Sequence, residues 1–242
     1  MKCSDAKILR NEKITSDIYR IELETSLSPL VKPGQFVQVQ IPGFYLRRPI
    51  SVCETNDNTM VLIYKTVGAG TEAMHAMRPG ERINLFGPLG RGFPIEEKDV
   101  VLIGGGIGIP PLVETAKAYR KNGRHVTAVL GFNTKEQIFL RERLTELECY
   151  VVVATMDGTE GVHGTVLDAI QSKNISTSFV EACGPMSMLK AVSSVCQGYI
   201  SLESRMACGI GACMGCVMKD KDGESLRVCK DGPVFEIGRM AL

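Results

Sequence analysis

Four cysteines near the C-terminal end have the spacing of a metal-cluster site. Cys208, Cys213 and Cys216 lie in one short segment, and Cys229 follows thirteen residues after the third. This C-x4-C-x2-C…C pattern is typical of plant-type [2Fe–2S] ligands. Two irons and two sulfides need four thiolates in one small volume, and a tight loop can supply three of them. The sequence therefore predicts a [2Fe–2S] cluster, which transfers one electron at a time.

Glycines are interspersed among the three clustered cysteines, at Gly209, Gly211 and Gly215. Glycine adopts positive φ without steric cost, so we expect all three to let the loop curl tightly. A tight loop also leaves backbone N–H groups free to point at the sulfurs, and such hydrogen bonds tune a reduction potential.

A structural zinc ion is the alternative occupant of the four thiols. Zinc sites usually space their ligands as two C-x2-4-C pairs, whereas here three cysteines share one loop and the fourth stands apart. Disulfides are less favoured still, because Met1 to Lys7 lack the apolar core of a secretion signal and thiols stay reduced inside the cell. A zinc-stapled scaffold without redox chemistry is the non-enzymatic alternative.

The composition is that of an ordinary globular protein of two modest domains and an appendage. The chain has 242 residues, of which 44% are hydrophobic and 23% charged, and its formal net charge is +1. That charge gives no electrostatic footprint for nucleic acid or an anionic membrane, and no apolar run reaches the length of a membrane span. We expect neither kind of partner and a cytoplasmic location.

The order of predicted elements divides the chain into three segments. Residues 1–96 contain short β-rich runs separated by turn signals, which predict an antiparallel barrel. Residues 97–197 alternate between strand and helix, which predicts an open parallel sheet. Residues 198–242 are expected to hold the cysteine loop and little else, in a small cluster module without a core of its own. Helices are predicted over residues 71–77, 111–121, 137–147, 166–170 and 186–196.

Two motifs of the first segment suit a flavin nucleotide. In the run Arg48, Pro49, Ile50, Ser51, a guanidinium stands near a hydroxyl, and arginine suits planar contact with phosphate. Arg47 is expected to be a solvated neighbour. Further along, the strand residues Ile63, Tyr64 and Lys65 lead to a glycine turn that opens a helix at Gly70 and Thr71, and a helix N-terminus attracts anions. A solvated arginine pair and an ordinary strand-to-helix turn are the plainer alternatives.

Two motifs of the second segment suit a pyridine nucleotide. The glycines Gly104, Gly105, Gly106 and Gly108 follow a buried strand and precede a helix, as in pyrophosphate-binding turns. The run departs from G-x-G-x-x-G, because the last position counted from Gly104 is Ile109. Later, Cys183, Gly184 and Pro185 end a predicted strand, where open α/β sheets bind ligands. Cys183 is predicted to face a nicotinamide, and a buried thiol at a strand end is the alternative.

Taken together, these motifs resemble the ferredoxin-reductase family and, within it, the electron-transfer subunits of two-subunit, NAD-dependent dihydroorotate dehydrogenases. The resemblance covers essentially the whole chain. It assigns FAD to the residues from Arg48 to Ser51, from Ile63 to Lys65 and at Gly70 and Thr71. It assigns NAD to the glycine run and to residues 183–185. The stretch Arg205 to Cys216 is the most specific part of the resemblance, and Val228 to Phe235 completes the cluster site.

The resemblance implies a redox relay in pyrimidine biosynthesis. A catalytic partner subunit with FMN would oxidise dihydroorotate, and electrons would pass through [2Fe–2S] to FAD and then to NAD+. The chain is not expected to oxidise dihydroorotate alone, and the implied assembly is a heterotetramer of two copies of each subunit. A reductase of the same plan serving a sulfide, ferredoxin or oxygenase partner is the alternative.

The segment Gly131 to Thr134 lacks an arginine for a 2′-phosphate, which favours NAD over NADP.

Overall fold

An antiparallel barrel forms the N-terminal part of the computed structural model, which describes residues 1–242. Its strands close in the order β1-β2-β5-β4-β3-β6. They are β1 (Lys2–Lys13), β2 (Ile18–Glu24), β3 (Phe36–Gln40), β4 (Arg48–Asn56), β5 (Thr59–Lys65) and β6 (Arg82–Leu89). Alternate residues of β6 are buried, from Ile83 to Leu89, as expected of strands with one face inside a barrel. The barrel predicted from the sequence is confirmed.

A short helix, α1 (Ala69–Ala76), packs Met74 into the barrel core. The side chain of Asn11 fixes its C-terminal end: Nδ2 donates to the carbonyl oxygens of Met74, His75 and Met77 at 3.0, 3.3 and 3.0 Å. Carbonyls at the end of a helix lack the usual backbone partner one turn further on, and here only the Met74 carbonyl also accepts a backbone N–H, from Met77 at 3.2 Å. Asn11 Oδ1 also accepts a hydrogen bond from the Tyr64 hydroxyl at 2.9 Å, so one amide joins β1, β5 and α1.

A mostly parallel sheet with flanking helices follows the barrel. Its strands from this segment are β7 (Val100–Gly105), β8 (Val126–Phe132), β9 (Tyr150–Thr155), β10 (Val162–His163) and β11 (Val180–Cys183). The helices are α2 (Pro110–Lys121), α3 (Arg141–Glu146), α4 (Val166–Ser172) and α5 (Met186–Val195). All six residues of β7 are buried, because helices or loops cover both faces. The predicted open sheet is confirmed.

The helix predicted over residues 137–147 is wrong in its first half. Lys135–Gln137 form one 3-10 turn, Ile138 is extended, and Leu140 has a φ of +64°, so α3 begins only at Arg141. The reason is tertiary packing: Phe139 is buried, and its ring meets Phe132 edge to face with centroids 5.8 Å apart. That contact outweighs local helix propensity.

The C-terminal segment is more integrated than the sequence predicted. It contains β12 (Gly198–Ser201), β13 (Val217–Lys219), β14 (Ser225–Arg227), α6 (Val228–Asp231) and β15 (Val234–Glu236). The large sheet has the order β10-β9-β8-β7-β11-β12-β15, so two of these strands extend it, and only β13 and β14 pair separately. The expectation of a cysteine loop and little else is therefore wrong. The division into 1–96, 97–197 and 198–242 stays a prediction.

Ion pairs join the barrel to the sheet. A register shift in β4 between Val52 and Glu54 marks a bulge, and bulges re-aim side chains. Glu54, nearly buried, accepts two hydrogen bonds from the Arg143 guanidinium of α3 and lies 3.8 Å from Lys117 Nζ of α2. The backbone N–H of Thr55 donates to Glu114 Oε2 at 2.7 Å. These contacts fix the two parts relative to each other.

No helix in the structure is both long and apolar enough to cross a membrane.

Candidate functional site

The four cysteine ligands predicted from the sequence lie in one region of the structure. Cys208, Cys213 and Cys216 belong to the loop between β12 and β13, and Cys229 lies in α6. Backbone N–H groups point at three of the sulfurs. Ile210 and Cys213 donate to Cys208 Sγ at 3.5 and 3.4 Å, Gly215 donates to Cys213 Sγ at 3.5 Å, and Cys229 donates to Cys216 Sγ at 3.4 Å.

These N–H groups favour thiolates, the form that binds iron. Burial opposes ionisation of Cys208, but the N–H groups of Ile210 and Cys213 outweigh it and lower its pKa to about 6. Burial and the adjacent Cys216 thiol raise the pKa of Cys229 to about 12, so the Cys229 thiol needs a bound cation to ionise at neutral pH. The donor set, four thiols with sulfur-directed N–H groups, fits an iron–sulfur cluster.

The four thiols differ in how deeply they are buried. No three His, Cys, Asp or Glu side chains are grouped to hold one metal ion. A [2Fe–2S] cluster does not need such a group, because each iron takes two protein thiolates. Cys216 and Cys229 are 2% exposed and pack with the sheet, whereas Cys208 and Cys213 lie nearer the surface. A cluster here would have one buried side and one accessible side.

Backbone geometry in the loop differs in one place from the sequence prediction. Gly209 and Gly211 have φ values of +71° and +82°, as expected of glycines in a tight loop. Gly215 does not have a positive φ, and the left-handed position is its neighbour Met214, at +59°. Gly215 instead brings its N–H to the Cys213 sulfur.

A cavity of about 350 Å³ lies between the barrel, the sheet and the segment that leads to the cysteine loop. This volume is within the range of small-molecule sites. Its wall includes most of the predicted flavin residues: Arg48, Pro49, Ile50, Ser51, Ile63, Tyr64, Lys65 and Thr71. The wall is mostly apolar, so it suits an aromatic ring system with a few polar anchors.

Arg48 is the unpaired cation of this wall. Its one hydrogen bond within the chain goes to the carbonyl of Leu46, and the guanidinium lies 5.3 Å from the centroid of the Phe44 ring. A Cβ added to Gly70 would lie 2.6 Å from Arg48 Nε, so glycine lets the guanidinium lie against the start of α1. A free guanidinium beside a helix N-terminus fits the diphosphate of FAD. Lys65, by contrast, pairs with Asp17 at 2.9 Å.

Arg47 is not the solvated neighbour that the sequence suggested. Its guanidinium donates to Gln40 Oε1 at 3.0 Å, to Asn84 Oδ1 at 2.6 Å, and to the carbonyls of Gln38 and Asn84 at 3.3 Å. Arg47 therefore ties β3 to β6, and it does not line the cavity.

Cys183 also lines this cavity, next to residues that the sequence analysis missed. Its thiol is 3% exposed, and burial raises its pKa to about 12, so it stays neutral. Ser201, Glu203 and Ser204 share the wall, and burial raises the pKa of Glu203. Only the pairing of β12 with β11, which sets Ser201 beside Cys183, brings them there. No local motif signalled these residues.

A second cavity, of about 390 Å³, lies at the carboxyl ends of the parallel strands, where α/β sheets bind nucleotides. Gly105, Gly106 and Pro185 of the predicted motifs line it. So does Asn133, from the segment Gly131 to Thr134 that the sequence analysis used to favour NAD over NADP. Further lining residues that the sequence did not indicate include Gln137, Met156, Thr165, Ser187 and Met188. Thr165 and Asp168 form a capping box at the start of α4, which orders this edge of the cavity.

The other three predicted nucleotide residues lie behind the cavity wall. A Cβ on Gly104 would lie 2.6 Å from Ile109 Cγ1, and one on Gly184 would lie 2.6 Å from Met188 Cε. A Cβ on Gly108 would clash with the carbonyl of Cys183. These glycines allow strand, turn and helix to pack closely, which is a different use of glycine from direct nucleotide contact.

Comparisons with known proteins agree with this architecture. Residues 203–241 match the model described as the iron–sulfur cluster binding domain of dihydroorotate dehydrogenase B, and residues 102–194 match the oxidoreductase NAD-binding domain. Among solved structures, a chain of an NADH-dependent reduced ferredoxin-NADP oxidoreductase superposes with a TM-score of 0.89 at 29% identity, covering 97% of this chain and 89% of that one. An Amycolatopsis cytochrome P450 reductase superposes with a TM-score of 0.69 at 26% identity, covering 78% of this chain and 64% of that one.

The curated relatives are more similar in sequence. The dihydroorotate dehydrogenase B (NAD(+)) electron transfer subunit of Geobacillus sp. (strain WCH70) is 42% identical over 100% of both chains. The corresponding subunit of Bacillus cereus (strain G9842) is 40% identical over 97% of both. Because residues 203–241 match an iron–sulfur cluster binding domain, the comparison favours the cluster over the alternative of a zinc-stapled scaffold. The chain belongs to the family of electron transfer subunits of NAD(+)-dependent dihydroorotate dehydrogenase B.

Proposed function

We propose that this chain relays electrons from the FMN of a partner dihydroorotate dehydrogenase subunit to NAD+, for pyrimidine biosynthesis. The observation that carries this proposal is the position of the cavity that fits FAD. Met206, two residues before Cys208, lies in its wall, and so does Cys183, which adjoins the second cavity through Gly184 and Pro185. One cavity therefore touches both the cysteine loop and the nucleotide site.

Each part of the chain has a distinct task in this relay. Cys208, Cys213, Cys216 and Cys229 would hold the [2Fe–2S] cluster. Arg48 and the start of α1 would bind the FAD diphosphate, and Ile50, Ile63 and Tyr64 would enclose the ring system and exclude water. Bound FAD supplies the conversion between single electrons and the hydride that NAD+ accepts. Gly105, Gly106 and Pro185 would position the pyridine nucleotide beside Cys183.

The same arrangement of flavin barrel, nucleotide-binding sheet and cysteine loop could accept electrons from a different donor, as an alternative to dihydroorotate. The identity to the dihydroorotate dehydrogenase subunits is 40–42%, against 29% for the ferredoxin-NADP oxidoreductase chain. Dihydroorotate is therefore the better-supported source of electrons. A cytoplasmic location and a heterotetramer of two copies of each subunit belong to this proposal.

Replacing any one of the four ligands with serine, as in Cys208→Ser or Cys229→Ser, should abolish or destabilise the cluster, because the loop holds no spare thiol. Assays of iron and acid-labile sulfide on the purified variants measure this. Cys3→Ser is the matched control, since that exposed thiol lies on β1 and should leave cluster content unchanged. Full occupancy in Cys229→Ser would remove Cys229 from the ligand set.

Arg48→Ala should weaken FAD binding by about ten- to a hundredfold, the effect of losing one charge-assisted contact of roughly 1.5–3 kcal/mol. Arg47→Ala should weaken it less, because that guanidinium is engaged by Gln40 and Asn84. Flavin titration of the deflavinated proteins measures both affinities. Equal retention in the two variants would contradict the assignment of Arg48.

Cys183→Ala should slow the reduction of bound FAD by NADH, by about ten- to a hundredfold if the nicotinamide shifts on the order of 1 Å. FAD should remain bound, since the thiol is one small part of the wall. Stopped-flow absorbance measures the rate, and Cys196→Ala, a buried thiol at the end of α5, is the control. An unchanged rate would return Cys183 to a purely structural role.

Met214→Glu should weaken association with the catalytic subunit and reduce dihydroorotate-to-NAD+ turnover, while NADH oxidation by artificial acceptors continues. Met214 and Ile210 are 50% and 38% exposed on the cysteine loop, where electrons from a partner would enter. Copurification and both activity assays test this. Tyr150→Glu is the control, because Tyr150 is exposed at the start of β9, at the edge of the sheet opposite the carboxyl ends of its parallel strands.

Two results would count against the relay. Oxidation of dihydroorotate by the isolated chain would overturn it altogether. Normal copurification of the Met214→Glu variant would move the subunit interface away from the cysteine loop.

A further inference from the structure

Gln38 of β3 is a fully buried polar side chain that lies between the two redox sites. Its neighbours Val37 and Val39 point into the barrel core, so Gln38 faces outward together with Phe36. Phe36 lines the cavity that fits FAD, and it packs in the same core as Cys216 and Cys229. One outward face of a single strand therefore reaches from the flavin cavity to the cysteine loop.

The amide of Gln38 holds the backbone on both sides of Cys208. Nε2 donates a hydrogen bond to the carbonyl of Ala207 at 3.2 Å. A Cβ added to Gly209 would lie 2.6 Å from the same nitrogen and 3.1 Å from Leu89 Cδ1, so Gly209 packs directly against the amide. Because Ala207 and Gly209 flank Cys208, the position of this ligand is set against the barrel wall.

The other end of the amide has no partner. Gln38 Oε1 is buried and accepts no hydrogen bond. A buried acceptor without a donor reduces stability, and an apolar side chain of similar size would avoid that loss. The donor group of the amide, which faces the loop that carries Cys208, is therefore the reason for a glutamine rather than an apolar residue at this position.

We propose that Gln38 is a positioning residue for electron transfer between the cluster and the flavin. It fixes the turn at Cys208 against the strand that carries Phe36, and it directs the positive end of its amide dipole at that turn. The inference rests on the proposed role of Cys208 as a cluster ligand. A reduced cluster carries one more negative charge, so a fixed positive dipole end favours reduction.

The test compares Gln38→Leu and Gln38→Glu with the wild-type chain, all carrying FAD. The midpoint potential of the cluster comes from a redox titration followed by electron paramagnetic resonance. Gln38→Leu should lower the potential, with a shift of about tenfold in the reduction equilibrium, or ~59 mV for one electron. Gln38→Glu should lower it further, because a carboxyl replaces the donor. Rapid mixing should show slower electron exchange between cluster and flavin in both.

Gln40→Leu is the matched control, since it makes the same replacement two residues along the same face. Gln40 is exposed, and its side chain contacts Arg47 and not the cysteine loop, so the potential should stay at the wild-type value. A wild-type potential and exchange rate in Gln38→Leu would overturn the proposal. An equal shift in Gln40→Leu would overturn it too.

A second measurement applies if Gln38→Leu retains too little cluster for a titration. Gly209→Ala should reduce cluster content, because the new Cβ meets the Gln38 amide. In the Gln38→Ala variant, which lacks that amide, Gly209→Ala should reduce the cluster content by a smaller amount than it does in the wild-type chain. If the double variant loses as much cluster as the Gly209→Ala and Gln38→Ala variants together, the proposal is overturned. If the wild-type chain itself lacks iron and sulfide, the proposed function fails; if only the Gln38 results fail, the cluster assignment stands.

Discussion

The parallel pairing of β12 with β11 is the contact on which the rest of the site depends. It sets Ser201 beside Cys183 and directs the chain that follows along the wall of the flavin cavity, which Leu202, Glu203, Ser204 and Met206 line. This pairing connects the start of the cysteine loop directly to the strand that ends at the nucleotide site. The antiparallel addition of β15 closes the arrangement, because it returns the chain after Cys229 to the same sheet. A segment too short for its own core is thus stabilised by the core of its neighbour.

The orientation of the barrel is fixed by a second set of contacts. The bulge in β4 aims Glu54 at Arg143 and Lys117, two cations that compensate a nearly buried carboxylate. On the sheet side, the Tyr119 hydroxyl lies 3.1 Å from Glu181 Oε1 and 3.2 Å from the carbonyl of Pro94 in the connecting segment. Burial raises the pKa of Glu181 to about 8, so this carboxyl is protonated at neutral pH and needs no counter-ion. The cavity between barrel and sheet therefore has walls that are held in place from both sides.

Glycine has two different uses around the cofactor sites. Gly209 and Gly211 supply positive φ values in the cysteine loop. Gly104, Gly108 and Gly184 have the other use, because their missing side chains let strand, turn and helix approach within van der Waals contact. The first use lets the loop curl so that backbone N–H groups point at the sulfurs, and the second supports the wall of the nucleotide cavity from behind.

The sequence by itself determined the chemistry, because that chemistry depends on residue types at short spacing. Three local patterns carry this chemistry. The run from Arg48 to Ser51 lies in the wall of the flavin cavity, and the glycine run from Gly104 lies in or behind the wall of the nucleotide cavity. The third pattern is the three cysteines of the cysteine loop. The alternation of strands and helices likewise indicated a barrel followed by a parallel sheet. Only the tertiary structure decided which residues meet across the chain. Glu203 lies beside Cys183, and Gln38 lies beneath Cys208, because distant segments of the chain meet there. The late start of α3 at Arg141 likewise depends on the packing of Phe139 against Phe132. Such contacts follow from packing in three dimensions, which no local pattern of residues encodes.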